Sequence, residues 1–435
     1  MKRVLIISYY WPPSGGSGVQ RWVKFSKYLP TEGWQPVIYT PLNPEMPARD
    51  ESLLAEIPPE AEILKTRIRE PYNLYKRISG RGKTSIKEVN LINADKKSWT
   101  KRLSLWIRGN FFVPDPHAGW IRPSVRVLCK YLKDNPVDAV VSTGPPHSMH
   151  LIARNLMREL RKQGLSCPKW IADFRDPWTR MFYFKHLELG NRALKKHYEM
   201  EKSVLDEADI VISVSPPVRD EFAAMTDTPV ELITNGYDET DFPEGTVKVR
   251  PDCFAIVHTG LFAADGNPLK LWKVLAELSH EYPEFATSLR IFTAGKTDAE
   301  IIAAITAAGL KRNLEDCGYQ AHNKVVEMQR SAALLILPLR QEPEYAKVLP
   351  GKIFEYLAAR RPVLGIGQED GAAATLLASC GAGAMYEWNE EARVKDFVLT
   401  EWKRWRAGKR EPLPEDVSRF SRQKLTAQLI ELLEK

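Results

Sequence analysis

The sequence predicts an α/β protein made of two consecutive Rossmann-like domains, each a doubly wound parallel sheet covered by helices. Two observations lead to this prediction. Apolar, β-branched segments alternate with amphipathic helical segments along the chain, and the alternation restarts near residue 253. The length of 435 residues also favours two core-bearing domains of roughly 200 residues each.

The first half opens with a strand, a loop, a helix and a second strand. Residues 4–9 form a continuous apolar run, which is typical of a parallel strand buried on both faces. A loop rich in Pro, Gly and Ser follows, and apolar residues then recur at helical spacing from Val19 to Leu29. The remaining strands of this half are predicted at residues 37–40, 138–142, 169–173 and 210–214.

The second half repeats this pattern and ends in a helix. A helix is predicted at 269–281, and strands are predicted at residues 253–258, 289–293, 333–338 and 362–366. The stretch 238–251 lacks periodicity and is rich in Asp, Glu, Gly and Pro, so we predict a linker there. The predicted domains are residues 1–240, 241–415 and a final amphipathic helical segment, 416–435.

The net charge of +7 is concentrated in one segment. Residues 65–135 contain seventeen Lys or Arg and five Asp or Glu, a local charge of +12, whereas the rest of the chain sums to −5. A basic segment in an otherwise slightly acidic protein indicates an anionic partner.

Cysteine content and hydropathy restrict the class of protein. The five cysteines lie far apart, without a CxxC pair or a Cys/His cluster, which argues against a disulfide framework and a zinc site. The first apolar run stops at Pro12, and no later run reaches the ~20 apolar residues of a membrane helix. We therefore expect a cytoplasmic protein, or one that lies on a membrane without crossing it.

The glycine-rich loop at residues 12–18 lies between a strand and a helix, where free backbone N–H groups favour an anion. It does not match a dinucleotide fingerprint, because Arg21 stands where the third glycine belongs and no acidic residue ends the second strand. It also lacks the Gly-Lys-Ser/Thr of a P-loop. Two interpretations remain: an ordinary tight turn, or a loop in which Gly15 and Gly16 let a substrate approach the backbone.

Charged residues follow two neighbouring strands of the first half. Asp173, Arg175 and Asp176 come at the end of one strand, and His147 follows the preceding strand. In a doubly wound sheet, ligands bind at the carboxyl ends of the strands. These residues are therefore candidates for a site, although a structural Arg–Asp pair and a lone histidine are also common.

The helix start at Pro350-Gly351-Lys352 is the strongest candidate for a binding site. Its first N–H groups are unbonded, so they favour a phosphate, and Lys352 adds a positive charge. Glu355, one turn later, can accept hydrogen bonds from a ribose diol. This combination suits a nucleotide-sugar, although a solvated Lys/Glu pair is frequent on helices.

Taken together, these motifs resemble GT-B glycosyltransferases of family 4, in particular the bacterial surface-polysaccharide branch. The matching segments are PPSGGSGVQR at residues 12–21, DFRDPW at 173–178 and PGKIFEYLAARRPVLG at 350–365, with RD-x-W and K-x-F-E-Y inside them. The resemblance extends over nearly the whole chain. It implies two domains that face a cleft and a C-terminal helix that crosses back to the first domain.

The resemblance also implies roles for individual residues. In the second domain, Glu355 would bind the donor ribose, Lys352 and Gly351 would lie near the phosphates, and Gly260 would let the diphosphate approach the strand end. In the first domain, Gly15 and Gly16 would line the acceptor side. Arg175 occupies the place where many members have a histidine facing the reacting sugar, with Asp176 beside it. His147, a candidate from its position after a strand end, completes the candidate catalytic group.

Two departures from the family pattern concern the donor site. The position eight residues before Glu355 is Lys347, where the family has its first glutamate, although Glu342 and Glu344 lie nearby. The usual cations after the first strand of the second domain are also missing, since Leu261 follows Gly260. Lys296 and Lys352 are then the candidate phosphate cations, and Lys296 is equally well explained as a loop lysine.

Within the basic segment, cations alternate with aromatic and aliphatic residues. This composition is typical of an interfacial contact with anionic lipid, for which the candidates are Lys96, Lys97, Trp99, Lys101, Arg102 and Trp106. An insertion that packs its aromatic residues into the first domain fits as well. Binding to nucleic acid is disfavoured because no RNA- or DNA-binding motif accompanies the segment.

The resemblance thus implies a retaining, metal-independent glycosyltransferase of the hexosyltransferase type. Its substrates would be a nucleotide-diphosphate sugar and a lipid-linked or polysaccharide acceptor, and no cofactor is expected. Two alternatives stay open: a GT-B sugar-nucleotide epimerase, and a non-catalytic GT-B scaffold that binds a membrane or a partner.

Overall fold

A computed structural model describes the chain in nine stretches. They are residues 1–46, 49–68, 106, 109–110, 112–181, 184–185, 187–243, 249–408 and 417–435. These residues divide into two compact units. The first comprises Met1–Thr234 together with Leu425–Lys435, and the second comprises Asn235–Lys424.

The first unit is built around a parallel sheet. Among the described residues its strands are β1 (Lys2–Ile7), β2 (Trp34–Pro41), β3 (Glu62–Thr66), β4 (Ala139–Gly144), β5 (Lys169–Phe174), β6 (Ile210–Ser213) and β7 (Val230–Leu232). Their order is β3-β2-β1-β4-β5-β6-β7. The central strand β1 pairs on both sides, with Ile6 opposite Ile38 of β2 and Val141 of β4. The order reverses between β1 and β4, which defines the switch point where doubly wound folds bind ligands.

Helices cover both faces of this sheet. They are α1 (Ser17–Tyr28), α2 (Ile121–Asp134), α3 (Ser148–Lys162), α4 (Asn191–Glu207) and α5 (Pro216–Ala223). One hydrophobic layer joins α2, α3 and α4 to the sheet, and its members include Leu128, Leu156 and Val204. The opposite layer joins α1 to the sheet through Trp22 and Phe25. Because β1 is buried on both faces, its run of β-branched and leucine side chains fits this environment.

The second unit has a parallel sheet of its own. Its strands in the described part of the chain are β8 (Phe254–Thr259), β9 (Leu289–Ala294), β10 (Leu314–Asp316), β11 (Leu334–Pro338), β12 (Val363–Ile366) and β13 (Gly383–Tyr386). Their order is β10-β9-β8-β11-β12-β13, so the switch point lies between β8 and β11. At that point Ile256 and Val257 pair with Leu334 and Leu335.

The helices of the second unit again lie on both faces of the sheet. They are α6 (Leu269–Glu281), α7 (Pro283–Ser288), α8 (Ala299–Ala307), α9 (His322–Ser331), α10 (Lys352–Ala359), α11 (Ala372–Ser379) and α12 (Glu391–Arg406). One layer contains Phe354 and Leu357 of α10. The other contains Trp272 and Leu275 of α6.

The last helix, α13 (Arg422–Glu434), passes from the second unit to the first. From Leu425 onward its residues belong to the first unit, where Leu425, Leu429 and Leu433 enter the same hydrophobic layer as Trp22. This is the C-terminal crossing helix expected from the sequence.

The predicted central strands and the observed strands agree, with ends that coincide or differ by up to three residues. The sequence did not predict the short edge strands β3, β7, β10 and β13, because their polar or small residues give no apolar run. The chain passes between units at Thr234 and Asn235, a few residues before the predicted linker, because the backbone of Tyr237 pairs with Ser421. No helix within the described residues has the length and apolar character needed to span a membrane.

Candidate active site

In the first unit, the predicted site residues lie at the carboxyl ends of β1, β4 and β5. Gly15 and Gly16 belong to the loop after β1, His147 follows β4, and Arg175 and Asp176 follow β5. These three strands are neighbours in the sheet and include the switch point. The fold therefore gathers residues that are 160 positions apart in sequence at one edge of one sheet.

Arg175 connects two of these loops through its guanidinium. Nη1 donates to the carbonyl oxygen of Gly18 at 2.8 Å, and Nη2 donates to the carbonyl of Pro145. The guanidinium also lies over the ring of Tyr10, 5.9 Å from its centroid. Burial lowers the pKa of Arg175, and Asp176 opposes that shift. Nε is buried without a hydrogen-bond partner among the described residues, and Nη1 and Nη2 each keep a second N–H beyond the bonds named here.

Asp176, next in the chain, is half-buried and accepts no hydrogen bond from any described residue. Burial raises the pKa of its carboxyl group, and the neighbouring positive charge of Arg175 opposes that change. A carboxylate without hydrogen bonds at a sheet edge is a good acceptor for a substrate hydroxyl.

The preceding aspartate, Asp173, has a structural role that the sequence did not separate from the site. It is fully buried and accepts bonds from Arg21 at 2.8 Å, Trp22 at 2.7 Å and Thr143 at 2.9 Å. Burial alone would raise its pKa, but the charge and hydrogen bonds of these neighbours outweigh burial and lower it. Arg21 also donates to the carbonyl of Ile233, so this pair joins α1, β4, β5 and the end of β7.

His147 is buried and its ring stacks on Trp178 at a centroid distance of 4.7 Å. Neither ring nitrogen has a hydrogen-bond partner in the described part of the chain. Burial lowers the pKa of His147 far below its ordinary value, with smaller effects from His150 and Arg175. The imidazole is therefore neutral at physiological pH and offers one donor and one acceptor.

Beside His147 lies a small, mainly apolar cavity of ≈ 120 Å³. Its wall includes Trp178, Phe184 and His197, and the second ring nitrogen of His197 is also buried without a described partner. Trp178 donates to Nδ1 of His197 at 3.0 Å, which fixes the position of both rings. Sequence reasoning missed His197, because a histidine inside a helix gives no signal of its own.

The glycine loop contains one position that needs its glycine for conformation and another that needs it for packing. Gly16 has φ +96°, a left-handed value that side chains rarely adopt, and α1 begins at the next residue. A Cβ on Gly18 would lie 2.9 Å from the ring of Tyr10 and 3.3 Å from Nη1 of Arg175. The loop backbone is thus held close to the residues that follow β5.

In the second unit, the predicted donor-binding residues meet at the ends of β8 and the start of α10. Gly260 follows β8 with φ +85°, and a Cβ there would lie 3.6 Å from the amine of Lys352. Gly351 precedes α10 and is exposed, and a Cβ there would meet open space. Gly260 and Gly351 therefore both lie next to Lys352, at the carboxyl end of β8.

The amine of Lys352 has two described partners. It lies 2.9 Å from Nε2 of His258 and 3.3 Å from the carbonyl oxygen of Leu261. Burial lowers the pKa of Lys352 to about 7, although the nearby carboxylate of Glu355 opposes the shift. His258 is buried and stacks on Phe262 at 4.0 Å. Sequence reasoning missed His258. Its position near the end of an apolar strand, two residues before Gly260, was a usable signal.

Glu355 is half-buried, and one of its oxygens accepts from Nε2 of Gln329 at 2.8 Å. The same amide nitrogen donates to the hydroxyl of Thr259 at 3.0 Å. Tyr356 completes the group, since its hydroxyl accepts from the backbone N–H of Thr259 at 3.0 Å. Burial raises the pKa of Tyr356 to about 12. This network fixes Glu355 and leaves its other oxygen for a ligand.

Lys296 is separate from this group. Its side chain is 59% exposed, and its described ionic neighbour is Asp298 at 4.0 Å. The adjacent Gly295 has a clear packing role, because a Cβ there would lie 2.3 Å from the carbonyl oxygen of Gly260. The ends of β8 and β9 are therefore in close contact, with Lys296 on the solvent side.

A charged group that the sequence did not assign follows β8 and β11. Arg340 pairs with Asp265 at 2.5 Å, and burial raises the pKa of Asp265, an effect that Arg340 opposes and Glu342 reinforces. One oxygen of Glu342 is buried without a hydrogen-bond partner among the described residues. Glu342 is thus a partly buried carboxylate five residues before Lys347, the position of the missing family glutamate, and Lys347 ends the short 3-10 turn between them.

Most of the predicted lipid-contact residues lie outside the described residues: Lys96, Lys97, Trp99, Lys101 and Arg102. Trp106 is described and is 42% exposed.

Solved structures of similar fold include glycosyltransferases. Sucrose-phosphate synthase from Thermosynechococcus elongatus aligns with a TM-score of 0.64 at 14% identity, covering 100% of this chain and 98% of that one. WaaG, a glycosyltransferase involved in lipopolysaccharide biosynthesis, aligns with a TM-score of 0.57 at 13% identity, and the alignment covers 99% of both chains. A putative UDP-N-acetylglucosamine 2-epimerase from Listeria monocytogenes aligns with a TM-score of 0.55 at 10% identity. That alignment covers 100% of this chain and 96% of the other.

These likenesses, together with the two parallel sheets, establish a two-domain α/β GT-B fold. At this level of identity they show the fold alone. No protein-family profile and no curated protein matches the chain.

Proposed function

We propose that this protein is a retaining glycosyltransferase that moves a sugar from a nucleotide-diphosphate donor to a lipid-linked or polysaccharide acceptor. The observation that supports this most is the group formed by Gly260, Lys352 and Glu355 at the switch point of the second sheet. It combines a cation, a helix N-terminus and a carboxylate that is fixed by Gln329. Diphosphate and ribose hydroxyls require these chemical groups.

In this proposal the second unit binds the donor. The ammonium form of Lys352 and the backbone N–H groups of Gly351 and Lys352 bind the diphosphate. The next two N–H groups, of Ile353 and Phe354, already donate to the carbonyl oxygens of Pro350 and Gly351. The backbone at Gly260 approaches the phosphates because no side chain intervenes. Glu355 accepts hydrogen bonds from the ribose diol, and Lys296 supplies a second, more mobile charge. The departing diphosphate is stabilised by these positive groups, and no step is assigned to a metal.

The first unit supplies the acceptor side and the candidate catalytic residues. Arg175 donates a hydrogen bond to the reacting sugar, Asp176 accepts a proton or hydrogen bond from the acceptor hydroxyl, and neutral His147 orients a sugar hydroxyl. The backbone at Gly15 and Gly16 lines the same sheet edge. Retention then follows from attack of the acceptor hydroxyl on the face that the diphosphate leaves.

The acceptor class rests on charge and resemblance. WaaG, one of the proteins similar in fold, is a glycosyltransferase involved in lipopolysaccharide biosynthesis. The basic segment at residues 65–135 suits a protein that works at the cytoplasmic face of an anionic membrane. We therefore propose family 4 membership, a role in surface-polysaccharide biosynthesis and peripheral membrane attachment.

The test is a donor screen with the full chain. Thermal unfolding is measured with UDP-, GDP- and ADP-sugars, and products are then detected with the stabilising donor and a mixture of lipid-linked acceptors. One donor family should raise the melting temperature, since a ligand at 100-fold above its Kd stabilises by about 2.7 kcal/mol. If no nucleotide stabilises the protein, the enzyme interpretation is wrong and a non-catalytic scaffold is favoured.

A sugar-nucleotide epimerase is the second candidate, because one of the structures similar in fold is described as a putative UDP-N-acetylglucosamine 2-epimerase. The two reactions differ in their need for an acceptor. An epimerase converts the donor alone into a second sugar product, whereas the proposed transferase releases nucleoside diphosphate only when an acceptor receives the sugar. Analysis of the donor after incubation without acceptor distinguishes them.

A further inference from the structure

Helix α2 of the first unit presents a row of positive charge that the proposed catalytic chemistry does not use. The row follows one face of the helix at successive spacings of four, four and three residues. Its members, called the basic row below, are Arg122, Arg126, Lys130 and Lys133. All four side chains are exposed, and within the described part of the chain none has an ion pair or hydrogen bond. At 1.5 Å per residue the row extends over about 16 Å.

The basic row forms one wall of a groove of ≈ 480 Å³ between α2 and α3. The other wall comes from α3, with the side chains of Asn155, Glu159 and Gln163. Val125 and Cys129 form the floor, and Cys129 is buried. The groove therefore combines cations, amides and a small apolar strip along its length.

The arrangement of charge is unfavourable for the free protein. Like charges four residues apart on a helix repel each other, as Arg126 does with Arg122 and with Lys130. Arg122 also lies in the first turn of α2, where a cation is disfavoured by the helix dipole and where no acidic residue compensates it. The one carboxylate in the groove, Glu159, accepts a hydrogen bond from Gln163 at 2.6 Å. An external anion would relieve this repulsion.

The shape of the groove and its lining indicate what kind of anion fits. A membrane contact needs apolar side chains that project outward, and the exposed large apolar side chain of α2, Val127, is not among the lining residues. Nucleic acid needs aromatic rings for stacking, and none of the described residues that line the groove is aromatic. Amides such as Asn155 and Gln163 hydrogen-bond hydroxyl groups. A concave, elongated site with evenly spaced cations matches a chain whose carboxylates recur along its length.

We propose that the groove between α2 and α3 binds a linear acidic glycan, with the basic row pairing to successive carboxylates. The groove begins near the candidate site of this unit. Trp120, which precedes α2, stacks on Tyr39 at a centroid distance of 4.9 Å, and the tilted ring of His117 contacts that of Tyr9 at 4.1 Å. Tyr9 follows β1 and Tyr39 lies near the end of β2, so the Arg122 end is at the carboxyl edge of the sheet. The glycan's role as the acceptor chain rests on the proposed function, but its binding does not.

The experiment measures binding of a fluorescently labelled oligogalacturonate of defined length to the full chain at low salt. A neutral maltooligosaccharide of the same length serves as the ligand control. The test variant is Arg126→Gln with Lys130→Gln. The matched protein control is Lys195→Gln with Lys196→Gln, which removes the same charge from exposed positions on α4. Vesicles of phosphatidylglycerol and an oligothymidylate are measured in parallel.

We expect the wild type and the α4 control to bind oligogalacturonate, and the groove variant to bind it at least about tenfold more weakly. Binding should weaken with added salt, and the neutral chain should not bind. The proposal would be overturned if the α4 control lost as much affinity for oligogalacturonate as the groove variant. It would also be overturned if the neutral maltooligosaccharide bound as tightly as oligogalacturonate. A groove variant that loses binding to vesicles or oligothymidylate instead would assign the row to a membrane or to nucleic acid. Binding of oligogalacturonate without any donor turnover would contradict the transferase and leave the groove assignment standing.

Discussion

The side-chain amine of Lys352 lies 2.9 Å from Nε2 of His258, and this contact joins the first turn of α10 to the end of β8. Burial lowers the pKa of His258 far below its ordinary value, and the charge of Lys352 lowers it further. The imidazole is therefore neutral, and Nε2 can accept a hydrogen bond from the ammonium of Lys352 only when the ring proton is on Nδ1. Nδ1 is buried without a partner among the described residues, so the ring is oriented by stacking on Phe262.

The pKa of Lys352, lowered to about 7, predicts a pH dependence of donor binding. An anionic donor favours the ammonium form, so the bound state has a higher pKa than the free protein. Affinity for a nucleotide-sugar should be highest below about pH 7 and fall by up to about tenfold per pH unit above it. A nucleotide-sugar is preferable to a nucleoside diphosphate, because its phosphates do not titrate in this range.

The variant Lys352→Met provides the check on this assignment, with calorimetry or thermal shift between about pH 6 and about pH 8. It should bind weakly and with no pH dependence across this range. Lys311→Met, at an exposed position of the same unit, should retain the wild-type profile. An unchanged pH profile in Lys352→Met would show that another group titrates.

Replacement of Glu355 by Gln should reduce transfer by about 100-fold, equivalent to about 2.7 kcal/mol of transition-state stabilisation. The fold should remain intact, since Glu355 is half-buried and its described hydrogen bond is to Gln329. Steady-state kinetics and thermal unfolding measure the two effects separately. Glu327→Gln, an exposed change on α9, is the matched control. Wild-type turnover of Glu355→Gln would remove this residue from the donor site.

The buried pair of Arg21 and Asp173 should contribute to stability. Asp173→Asn leaves Arg21 buried without its charge partner and should cost about 3–5 kcal/mol in urea unfolding. Glu207→Gln removes the half-buried partner of Arg158, whose own side chain is 52% exposed, and should cost less than about 1 kcal/mol. A loss for Asp173→Asn as small as that control would contradict the role given to the buried pair.

The same pair predicts the direction of a pH effect. The pKa of Asp173 is lower in the folded state than its ordinary value of 3.8, so ionised Asp173 stabilises the fold above that value. This stabilisation is lost as the pH falls through the folded-state pKa. Asp173→Asn should lack this acid-dependent component when unfolding curves are compared at successive pH values. If the stability of Asp173→Asn falls as steeply at acid pH as that of the wild type, other carboxyl groups are responsible for the effect.

Arg175→Lys should reduce the rate of transfer by about tenfold or more, because an ammonium cannot reproduce the fork of the guanidinium. Stabilisation by the donor should stay near the wild-type value, since the proposed donor residues lie in the second unit. Arg180→Lys, an exposed change in the same loop, is the control. If Arg175→Lys only lowers the melting temperature and each folded molecule keeps full activity, Arg175 is structural, through its bonds to Gly18 and Pro145.

Neutralisation of the predicted lipid-contact cations Lys96, Lys97, Lys101 and Arg102 should reduce co-sedimentation with phosphatidylglycerol vesicles, by about 1 kcal/mol of binding per charge. Neutral phosphatidylcholine vesicles are the control. Unchanged sedimentation would show that the membrane hypothesis for this segment is wrong.

The sequence alone predicted the central strands of both sheets, because strands buried on both faces require continuous apolar runs such as residues 4–9. It missed β3 and β10, which lie at sheet edges and combine few apolar residues with charged ones. Pairing with a neighbouring strand, which no local pattern records, makes these segments strands.

For the candidate site, the sequence identified residue types at strand ends and helix starts, where backbone groups are free. It determined that Lys352 and Glu355 share one side of a helix, because that follows from helical periodicity. Only the tertiary structure placed His258 against Lys352, Gln329 against Glu355 and Arg21 against Asp173. These partners come from strands and helices distant in sequence. The pKa of each group depends on its burial and on the charges near it, and its neighbours decide which polar atoms stay without a partner. Both depend on packing across the whole unit.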